Sequence, residues 1–259
     1  MYSEQALRKD LKTRLFGSKI YTFDTIDSTN NCARALAGCW ANEGTVIIAE
    51  QQTAGKGRLG RAWQANPNEN LTFSIILRPS LPPDALNTFP LSVAVAVAEA
   101  VETATKLHVE CKWPNDLLIK GKKFAGILLE GSVKQNTIEY VVIGIGVNVN
   151  QQSFAGELQS TATSLRLETG TDLDRTLVFH EILRSLERNY RVLCTRGFDT
   201  VLPRWLSHST MINKQISVSE HGNVISGIVR GVSPEGGLIL QSNGSTKTLF
   251  AGDVTIVGM

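Results

Sequence analysis

The segment GKGRLG at residues 55–60 spells the G-x-G-x-x-G pattern that opens many dinucleotide-binding folds. In those folds a helix starts at the last glycine, so that its N-terminus faces a pyrophosphate. Here residues 61–68 read RAWQANPN, and a proline with two asparagines is typical of a loop. An acidic residue at the offset of about 20 that would hold a ribose is also missing. The segment therefore argues against a nicotinamide or flavin fold, and it lacks the Gly-Lys-Ser/Thr sequence of a P-loop.

Cationic side chains give this glycine loop a different chemistry. It carries Lys56, Arg58 and Arg61 and ends at Trp63, whose indole needs a base or a neighbouring side chain to cover its face. A second stretch, KWPNDLLIKGKK at residues 112–123, adds further lysines beside an Asn-Asp pair. Two such elements can wrap an anion, because the side chains supply the charge that a helix N-terminus supplies elsewhere. They indicate a phosphate-bearing substrate and an adenylating enzyme; the alternative is a solvated surface loop.

The composition is that of an ordinary globular protein. A chain of 259 residues is long enough for one well-buried domain plus a small appendage, and a net charge of +2 does not indicate a nucleic-acid or membrane surface. Residues 1–16 are rich in charge and contain no secretory apolar segment, and no apolar run approaches the roughly 20 residues that span a bilayer. We therefore expect a cytoplasmic protein.

The four cysteines have neither disulfide nor zinc spacing. Cys32 and Cys39 are about two helical turns, or roughly 10 Å, apart on a predicted helix, which is too far for a bridge. Cys111 lies in a strand-like run and Cys194 ends a long helix. We expect all four thiols to be reduced.

The hydrophobic pattern predicts an α+β chain. Helices are predicted at residues 3–15, 30–40, 86–105, 176–194 and 198–206. Strands are predicted at residues 20–23, 45–49, 71–77, 109–112, 116–119, 123–130 and 137–147. Trp40 and Leu177 are expected on the apolar faces of their helices. The short turns around Gly121 and Asn136 require antiparallel pairing of the strands that they join.

The pattern changes at Asn213 to short strands separated by glycine- and asparagine-rich turns, including those at residues 220–223 and 242–245. Five short strands in so few residues are expected to form a small β-barrel rather than an independent enzyme. We therefore divide the chain into one unit at residues 1–212 and a second at residues 213–259.

Five motifs follow one another in the first unit. They are DSTN at residues 27–30, GKGRLGR at 55–61, KWPND at 112–116, KFAGIL at 123–128 and GIGVN at 144–148. In this order and spacing they resemble the biotin protein ligases. The resemblance is close over residues 26–148, and it extends to the pattern of the C-terminal strands.

The resemblance implies a fold and a reaction. The fold is a mixed, largely antiparallel central sheet flanked by helices, as in class II synthetases, with a small C-terminal SH3-like β-barrel. Such ligases join biotin to ATP, giving biotinoyl-5′-AMP and pyrophosphate, and pass the biotinoyl group to a lysine of a biotin carboxyl carrier domain. Cationic side chains and Mg²⁺ offset the repulsion between the carboxylate and the triphosphate. ATP and Mg²⁺ are thus the implied cofactors, and no tightly bound cofactor is expected.

The resemblance also implies a biotin site. A polar set meets the ureido ring, whose C=O needs donors and whose N–H groups need acceptors, and an apolar slot with glycines holds the rest of the molecule. The implied biotin-binding residues are Ser28, Thr29, Asn30, Gln52, Gly55, Lys56, Gly57, Arg58, Lys123, Gly126, Ile127 and Gly144. Helix capping is an alternative role for Ser28 and Thr29, and one hydroxyl can cap while its neighbour faces the ligand.

On the nucleotide side, the resemblance places Trp63 over the adenine and Asn148 at its edge, and it makes Asp116 a carboxylate partner of Mg²⁺. The implied ATP-binding residues are Arg58, Arg61, Trp63, Lys112, Asn115, Asp116 and Asn148. The implied catalytic residues are Lys123, Arg58 and Lys112, with Lys123 acting as a cation and not as a base. A turn-stabilising role for Asp116 and a strand-end role for Asn148 are the alternatives.

The implied partner is the carrier domain with its acceptor lysine, and analogy with relatives suggests a homodimer. Regulatory members of the family carry an N-terminal winged helix-turn-helix of around 60 residues, and the motif at residues 27–30 comes too early for one. We therefore expect no repressor activity and no binding to nucleic acid or membrane. One departure is Lys56, where relatives often carry arginine, because lysine lacks the bidentate fork.

Two other functions stay open. A lipoate or octanoate ligase shares the catalytic fold, but its loop signature differs from the cationic sequence found here. A non-catalytic biotin-binding protein would not need a phosphate site. The combination of Arg58, Lys112, Asp116 and Lys123 argues against that second alternative.

Overall fold

One seven-stranded sheet forms the centre of the molecule. The computed structural model describes residues 2–220, 223–242 and 244–256. The strands are β1 (Ile20–Ile26), β2 (Val46–Gln52), β3 (Leu71–Leu77), β4 (Glu110–Lys112), β5 (Asp116–Ile119), β6 (Lys122–Lys134) and β7 (Thr137–Val147). Their order in the sheet is β1-β2-β3-β7-β6-β5-β4. Only β1 and β2 are parallel among these neighbours, so the predicted mixed, largely antiparallel sheet is confirmed.

Helices cover both faces of this sheet. They are α1 (Glu4–Arg8), α2 (Thr29–Gly38), α3 (Phe89–Thr105), α4 (Leu158–Thr161), α5 (Leu165–Thr169), α6 (Arg175–Arg196) and α7 (Leu202–His208). The apolar helix α3 lies against α6, and both contribute to the main core on one face. On the other face α2 connects the parallel pair and buries Ala33 and Ala37 against Ile47, Ile76 and Val142. The α2 face is where the cavity described below lies.

A second, antiparallel sheet follows Asn213. Its strands are β8 (Gln215–Glu220), β9 (Asn223–Val232), β10 (Leu238–Ser242), β11 (Ser245–Leu249) and β12 (Asp253–Ile256), in the order β11-β10-β9-β8-β12. The indole of Trp113 joins the two sheets, since its Nε1 donates to the carbonyl of Gly236 at 3.1 Å. The turns predicted at residues 220–223 and 242–245 lie partly outside the described residues. The division into units 1–212 and 213–259 stays a prediction.

Three helix boundaries differ from the sequence prediction by three residues or more. The helix expected at residues 198–206 begins at Leu202, after a 3₁₀ turn at Phe198–Thr200. The first helix ends at Arg8 and not at residue 15, because Asp10 adopts a left-handed conformation with φ 63°. The helix expected from residue 86 begins at Phe89, after a 3₁₀ turn at Pro83–Thr88 that starts with proline. Propensity alone does not separate a 3₁₀ turn from the first turn of an α-helix.

Two apolar residues predicted on buried faces are exposed. Trp40 lies beyond the end of α2, has φ 62° and is 78% exposed, with the Arg78 guanidinium 5.5 Å from its ring. Leu177 is 63% exposed. At about 100° per residue, Leu177 lies opposite the buried face of α6 that Phe179 and Leu186 share. Both expectations were therefore wrong.

One helical segment, Pro83–Thr105, is long and apolar enough to cross a membrane by length and composition alone. This differs from the expectation that no apolar run approaches that length. In the fold, 67% of the most apolar 18-residue stretch of this segment is buried. Burial of this extent against the sheet is typical of a core helix.

Candidate active site

A cavity of about 510 Å³ lies beside the start of α2, over the face of the main sheet that α2 covers. Strand register brings one residue from each of five neighbouring strands into a single row across it. From β3 to β4 the row is Thr72, Gly146, Gly126, Asp116 and Lys112. All five line the cavity. The sheet thus places two glycines in the middle of the cavity and charged side chains at one end.

The two glycines form a trough that the indole of Trp63 fills. A Cβ at Gly146 would lie 2.2 Å from the ring atom Cε2, and a Cβ at Gly126 would lie 3.2 Å from Cζ3. A side chain at position 146 would collide with the ring, so glycine is required there, while a side chain at position 126 would make a tight contact. The Nζ of Lys123 lies 5.7 Å from the centre of the same ring. The indole is therefore held between the sheet and a cation.

The cationic glycine loop folds as a small hairpin in front of the trough. The N–H of Gly57 donates to the carbonyl of Arg61 at 2.7 Å, and the N–H of Trp63 donates to the carbonyl of Gly55 at 3.0 Å. At the tip, Leu59 and Gly60 have φ 54° and 74°. This conformation confirms the loop structure expected from the sequence: the segment forms a 3₁₀ turn at Arg58–Gly60, and no α-helix opens from its last glycine.

Two arginines connect this loop to the second sheet. The guanidinium of Arg61 forms an ion pair with Asp253, at the start of β12. Arg58 donates to the carbonyl of Gly252 at 3.4 Å and to Oδ1 of Asn115 at 3.3 Å. Asp253 itself lines the cavity. The C-terminal sheet therefore contributes a carboxylate to the site, which the sequence analysis missed.

The charged end of the cavity is electropositive. It is lined by four cations and two carboxylates, which are Arg58, Arg61, Lys112, Lys123, Asp116 and Asp253. A fifth cation, Lys56, lines the cavity beside α2, where its Nζ donates to Oδ1 of Asn31 at 2.6 Å. Burial lowers the pKa of Lys112, and the nearby Lys123 and Arg61 lower it further, against the opposing effect of Asp116. Burial also lowers the pKa of Arg58. Cations brought together in this way are prearranged for an anion, which relieves both burial and mutual repulsion.

Lys123 and Asp116 form an ion pair inside the cavity. Nζ of Lys123 lies 2.6 Å from Oδ1 of Asp116. The turn before β5 is held instead by Asn115, whose Nδ2 donates to the carbonyl of Ile127 at 2.7 Å. Asp116 therefore has its carboxylate in the cavity, and the turn does not depend on it.

The opposite end of the cavity is polar. Ser28 is the N-cap of α2, and its hydroxyl accepts from the N–H of Asn31. Thr29 does not cap: its N–H and its hydroxyl both bond Oε1 of Gln52, at 2.7 and 3.1 Å. These bonds fix the orientation of the Gln52 amide, so that Nε2 is the end left to donate to a ligand. Ser28 is therefore the capping hydroxyl, and that of Thr29 bonds Gln52. The role of Thr29 in ligand binding stays a prediction.

Two buried polar atoms that line the cavity have no hydrogen-bond partner among the described residues, Nε1 of Trp63 and Oδ1 of Asn148. The other end of the Asn148 amide donates to the carbonyl of Thr163 at 3.0 Å. Burying an unpaired donor or acceptor costs about 1–3 kcal/mol, so such atoms indicate the place of a ligand. Asn148 thus combines a structural bond with an acceptor free for a ligand.

The structure brings together every predicted site residue except Gly55, which does not line the cavity. Gly55 supports the loop from behind, because a Cβ there would lie 2.5 Å from the carbonyl oxygen of Trp63. The sequence analysis missed several lining residues, among them Phe73, Leu118, Leu128, Ile145, Gly146, Phe154, Leu158 and Asp253. Gly146 could have been found, since it lies two residues after Gly144 on the same face of β7.

A metal ion would find few protein ligands here. The part of the chain that the structure describes contains no group of three or more His, Cys, Asp or Glu that could hold one. Asp116 and Asp253 are the two carboxylates that line the cavity. Mg²⁺ commonly uses one or two carboxylates together with phosphate oxygens. The donor set therefore fits a Mg²⁺ that enters with a nucleotide.

Comparisons with known proteins agree with this fold and site. The sequence profile of the Biotin/lipoate A/B protein ligase family matches residues 22–148, and that of the Biotin protein ligase C terminal domain matches residues 211–257. The Bifunctional ligase/repressor BirA of Bacillus spizizenii is 37% identical over 98% of this chain and 79% of its own length. The Biotin--[acetyl-CoA-carboxylase] ligase of Mycobacterium tuberculosis is 35% identical over 88% of this chain and 85% of its own length.

The structure of the biotin protein ligase from Aquifex aeolicus in complex with biotin and ATP is similar with a TM-score of 0.79 and 28% identity, over 92% of this chain and 98% of that one. The chain therefore belongs to the biotin/lipoate A/B protein ligase family. Within that family it groups with the biotin protein ligases.

Proposed function

We propose that this protein activates biotin with ATP and transfers it to a lysine of a biotin carboxyl carrier domain. The observation that carries the proposal is one continuous cavity with a polar end at Thr29 and Gln52, a glycine trough, and a cationic end at Lys112 and Lys123. A cyclic urea fits the first end, an apolar ring and chain fit beside the Trp63 indole that covers the glycines, and a triphosphate fits the last. The Aquifex aeolicus structure, solved with biotin and ATP, supports the same pair of ligands.

In the first step a carboxylate oxygen of biotin attacks the α-phosphorus of ATP. A P–O bond forms, the bond to the β-phosphate breaks, and pyrophosphate leaves with its electron pair. Lys123 and Lys112 offset the charge that gathers on the phosphoryl oxygens, and Arg58 of the loop neutralises the carboxyl end. None of these cations has to transfer a proton. Their contribution is to bring two anions together, which water would keep apart.

In the second step the amine of the carrier lysine attacks the acyl carbon. An amide bond forms, the C–O bond to AMP breaks, and the nitrogen releases one proton, so AMP leaves with its electron pair as a stable phosphate. The nucleophile belongs to the partner, and the ligase has to hold the adenylate until that partner docks. The hairpin of residues 55–63 in front of the trough suits this role, because it separates the anhydride from water.

ATP enters this site as its Mg²⁺ complex, and we propose that Asp116 is the carboxylate that meets the cation. One oxygen of Asp116 is paired with Lys123, which leaves the other for the metal. On the other side of the site, Trp63 borders the adenine and Oδ1 of Asn148 accepts from its exocyclic amine. The remaining proposed contacts are those given above for the biotin-binding and ATP-binding residues.

The test is a competition experiment. A biotin carboxyl carrier domain is incubated with the protein, Mg-ATP and equal concentrations of biotin, lipoate and octanoate, and the carrier is weighed by mass spectrometry. We expect a mass gain that matches biotin alone on a lysine. A gain that matches lipoate or octanoate would favour the alternative ligase, and no consumption of ATP with any acid would favour the binding protein.

Three further expectations from the sequence stay predictions. Sedimentation at micromolar concentration with biotin and ATP tests the homodimer. A band-shift assay with promoter DNA at physiological salt tests the expected lack of operator binding. Cell fractionation tests the cytoplasmic location.

A further inference from the structure

Asn30 lines the polar end of the cavity, yet its own side chain is held at both ends. It is 3% exposed. Its Oδ1 accepts from the hydroxyl of Ser74 at 2.6 Å, and its Nδ2 donates to Oε2 of Glu130 at 2.8 Å. Neither Ser74 nor Glu130 lines the cavity. They touch the site only through Asn30 and its neighbour Thr29.

The strand register explains why these two residues reach Asn30. Ser74 of β3 is paired with Gly144 of β7. Glu130 of β6 is paired with Val142, which lies two residues before Gly144 on β7. All of these residues face α2, since side chains on a strand alternate between faces. Gly144 lets the amide lie flat on the sheet, because a Cβ there would be 2.1 Å from Oδ1 of Asn30. Asn30 is therefore seated between two strand residues and over a glycine.

The chemistry of Glu130 fixes which way the amide points. An ionised carboxylate only accepts hydrogen bonds, so it has to face the NH₂ end of Asn30 and never the carbonyl end. Its other oxygen pairs with NH1 of Arg34 at 3.0 Å. The opposite end of the amide then meets Ser74, and Oδ1 keeps one acceptor lone pair beyond the one that Ser74 uses.

The network continues to the other polar residues of the cavity. The hydroxyl of Ser74 lies 2.8 Å from that of Thr29, which in turn bonds Gln52. Ser74 is fully buried, with 0% exposure. Each hydroxyl carries one proton, so with Ser74 donating to Asn30 and Thr29 donating to Gln52, the contact between the two hydroxyls adds no further hydrogen bond. A connected set of polar groups thus runs from the surface at Arg34 to the amide of Gln52, and a change at Glu130 alters the donors and acceptors that Asn30 presents to the ligand.

We propose that Glu130 and Ser74 are positioning residues for recognition of the ureido ring of biotin. They hold Asn30 with its carbonyl oxygen available to a ligand N–H, while Gln52 offers its donor end. This inference rests on the proposed biotin substrate. A cyclic urea carries two N–H donors and one acceptor, whereas a fatty acid or lipoate carries no group for this pattern. The network is therefore a determinant of substrate specificity that lies outside the cavity wall.

The first test measures biotin affinity by calorimetry for the intact protein, Glu130→Gln and Ser74→Ala. A glutamine can offer either an acceptor or a donor, so the Asn30 amide is free to turn over. We expect a loss of about tenfold in biotin affinity for each variant, the loss produced by about one misplaced hydrogen bond, with the KM for ATP unchanged. The matched control is Glu139→Gln. Glu139 lies on the neighbouring strand β7, its carboxylate accepts from the hydroxyl of Ser132 at 2.9 Å, and neither residue lines the cavity.

Two readouts separate positioning from a loss of structure. Biotin methylated on either ureido nitrogen lacks one N–H, and we expect the intact protein to discriminate against at least one isomer, with that discrimination reduced in both variants. A purely structural defect would lower the affinities for biotin and for methylated biotin by the same factor. The double variant is expected to lose far less than the product of the single losses, because either change alone frees the same amide.

The outcomes also separate this inference from the proposed function. Failure of the intact protein to bind biotin would overturn the proposal that biotin is its substrate. Tight binding by the intact protein and equally tight binding by both variants would overturn the positioning role alone. If Glu130→Gln does not fold, Ser74→Ala decides the question with the methylated ligands, and an unchanged discrimination there would overturn the inference.

Discussion

The indole of Trp63 lies directly against the backbone of Gly146, in the middle strand pair of the sheet, with 2.2 Å between ring atom Cε2 and the place that a Cβ would occupy. This contact positions the glycine loop (residues 55–63) against the main sheet. The loop itself has few apolar groups, and its one exposed apolar tip residue is Leu59. The seat of the loop therefore depends on the absence of a side chain at one strand position.

The first prediction concerns Gly146→Ala. The methyl group is compatible with an extended strand but collides with the indole, and overpacking of this kind costs about 1–3 kcal/mol. We expect kcat/KM for biotin to fall by about tenfold or more, and trypsin to cleave the loop faster at Lys56 or Arg58 in the presence of both substrates. The melting temperature should fall by no more than about 4 °C, because the indole can leave its position and the strand itself accepts alanine.

The control for this prediction is Gly131→Ala, on the neighbouring strand β6. A Cβ at Gly131 would meet its nearest atom, Cδ2 of Leu86, at an ordinary 3.5 Å. We expect unchanged kinetics and unchanged cleavage. Equal behaviour of the two variants would show that the contact between Trp63 and Gly146 does not seat the loop.

The second prediction concerns the ion pair between Arg61 and Asp253. Asp253 neutralises a cation that we assign to the phosphates, and its own charge repels them. Asp253→Asn should therefore lower the KM for ATP, by about two- to fivefold, since partly exposed pairs are worth about 1 kcal/mol or less. The effect should shrink as salt is raised.

Asp172→Asn is the control for the Asp253 variant. Asp172 pairs with Arg166 in a similarly exposed ion pair, and neither residue lines the cavity. We expect an unchanged KM for ATP. A rise in the KM for ATP with Asp253→Asn would contradict this prediction. It would mean that the ion pair with Asp253 holds Arg61 where it binds the phosphates, and does not compete with them for Arg61.

Much of the sheet could be predicted from the sequence because its strands are apolar runs with clear ends. The bounds of Leu71–Leu77, Asp116–Ile119 and Thr137–Val147 were predicted without error. Each is a run of β-forming residues that is bounded by turn or polar residues, so local pattern and final structure agree. The helices were less certain at their ends, where Asp10 and the 3₁₀ turn at Pro83–Thr88 depend on local backbone geometry.

The candidate site was predicted where its residues belong to compact motifs. Lys112 and Asp116 are four residues apart and become cross-strand neighbours through one turn. Asp253 could not be found in this way, because its partner Arg61 is almost the whole chain away in sequence and nothing local marks the contact. Ser74 and Glu130 look like ordinary strand residues, and only the register shows that they meet Asn30.

The third prediction concerns the cost of keeping Lys112 charged. Burial lowers its pKa, so the folded chain binds this proton less tightly than the unfolded chain does. The cost is fully present at pH values below the lowered pKa, and it is relieved as the pH rises through that value toward the unfolded one. Lys112→Met should therefore raise the melting temperature at neutral pH. Since Lys112 is only partly buried, solvent screens the effect, and we expect no more than about 2 °C.

The same variant should lose adenylation, measured as biotin-dependent pyrophosphate release, because a cation beside the phosphates is missing. The gain in stability should disappear at alkaline pH, where lysine is neutral in both states. Lys134→Met is the control, since Lys134 is the exposed last residue of β6 and its change should alter neither quantity. A lower melting temperature for Lys112→Met at neutral pH would contradict this account of the site.

The last prediction separates the two halves of the reaction at Arg58. Its guanidinium reaches Asn115 on the main sheet and Gly252 before the last strand, so it closes the loop over the charged end of the cavity. Arg58→Ala should still form biotinoyl-AMP, but it should bind biotin about tenfold more weakly and release the adenylate into solution. Free biotinoyl-AMP, measured by chromatography without a carrier, is the readout. Arg191→Ala, on the exposed side of α6, should retain the adenylate as the unchanged protein does. Equal retention by the Arg58 variant would show that closure of the loop does not depend on this side chain.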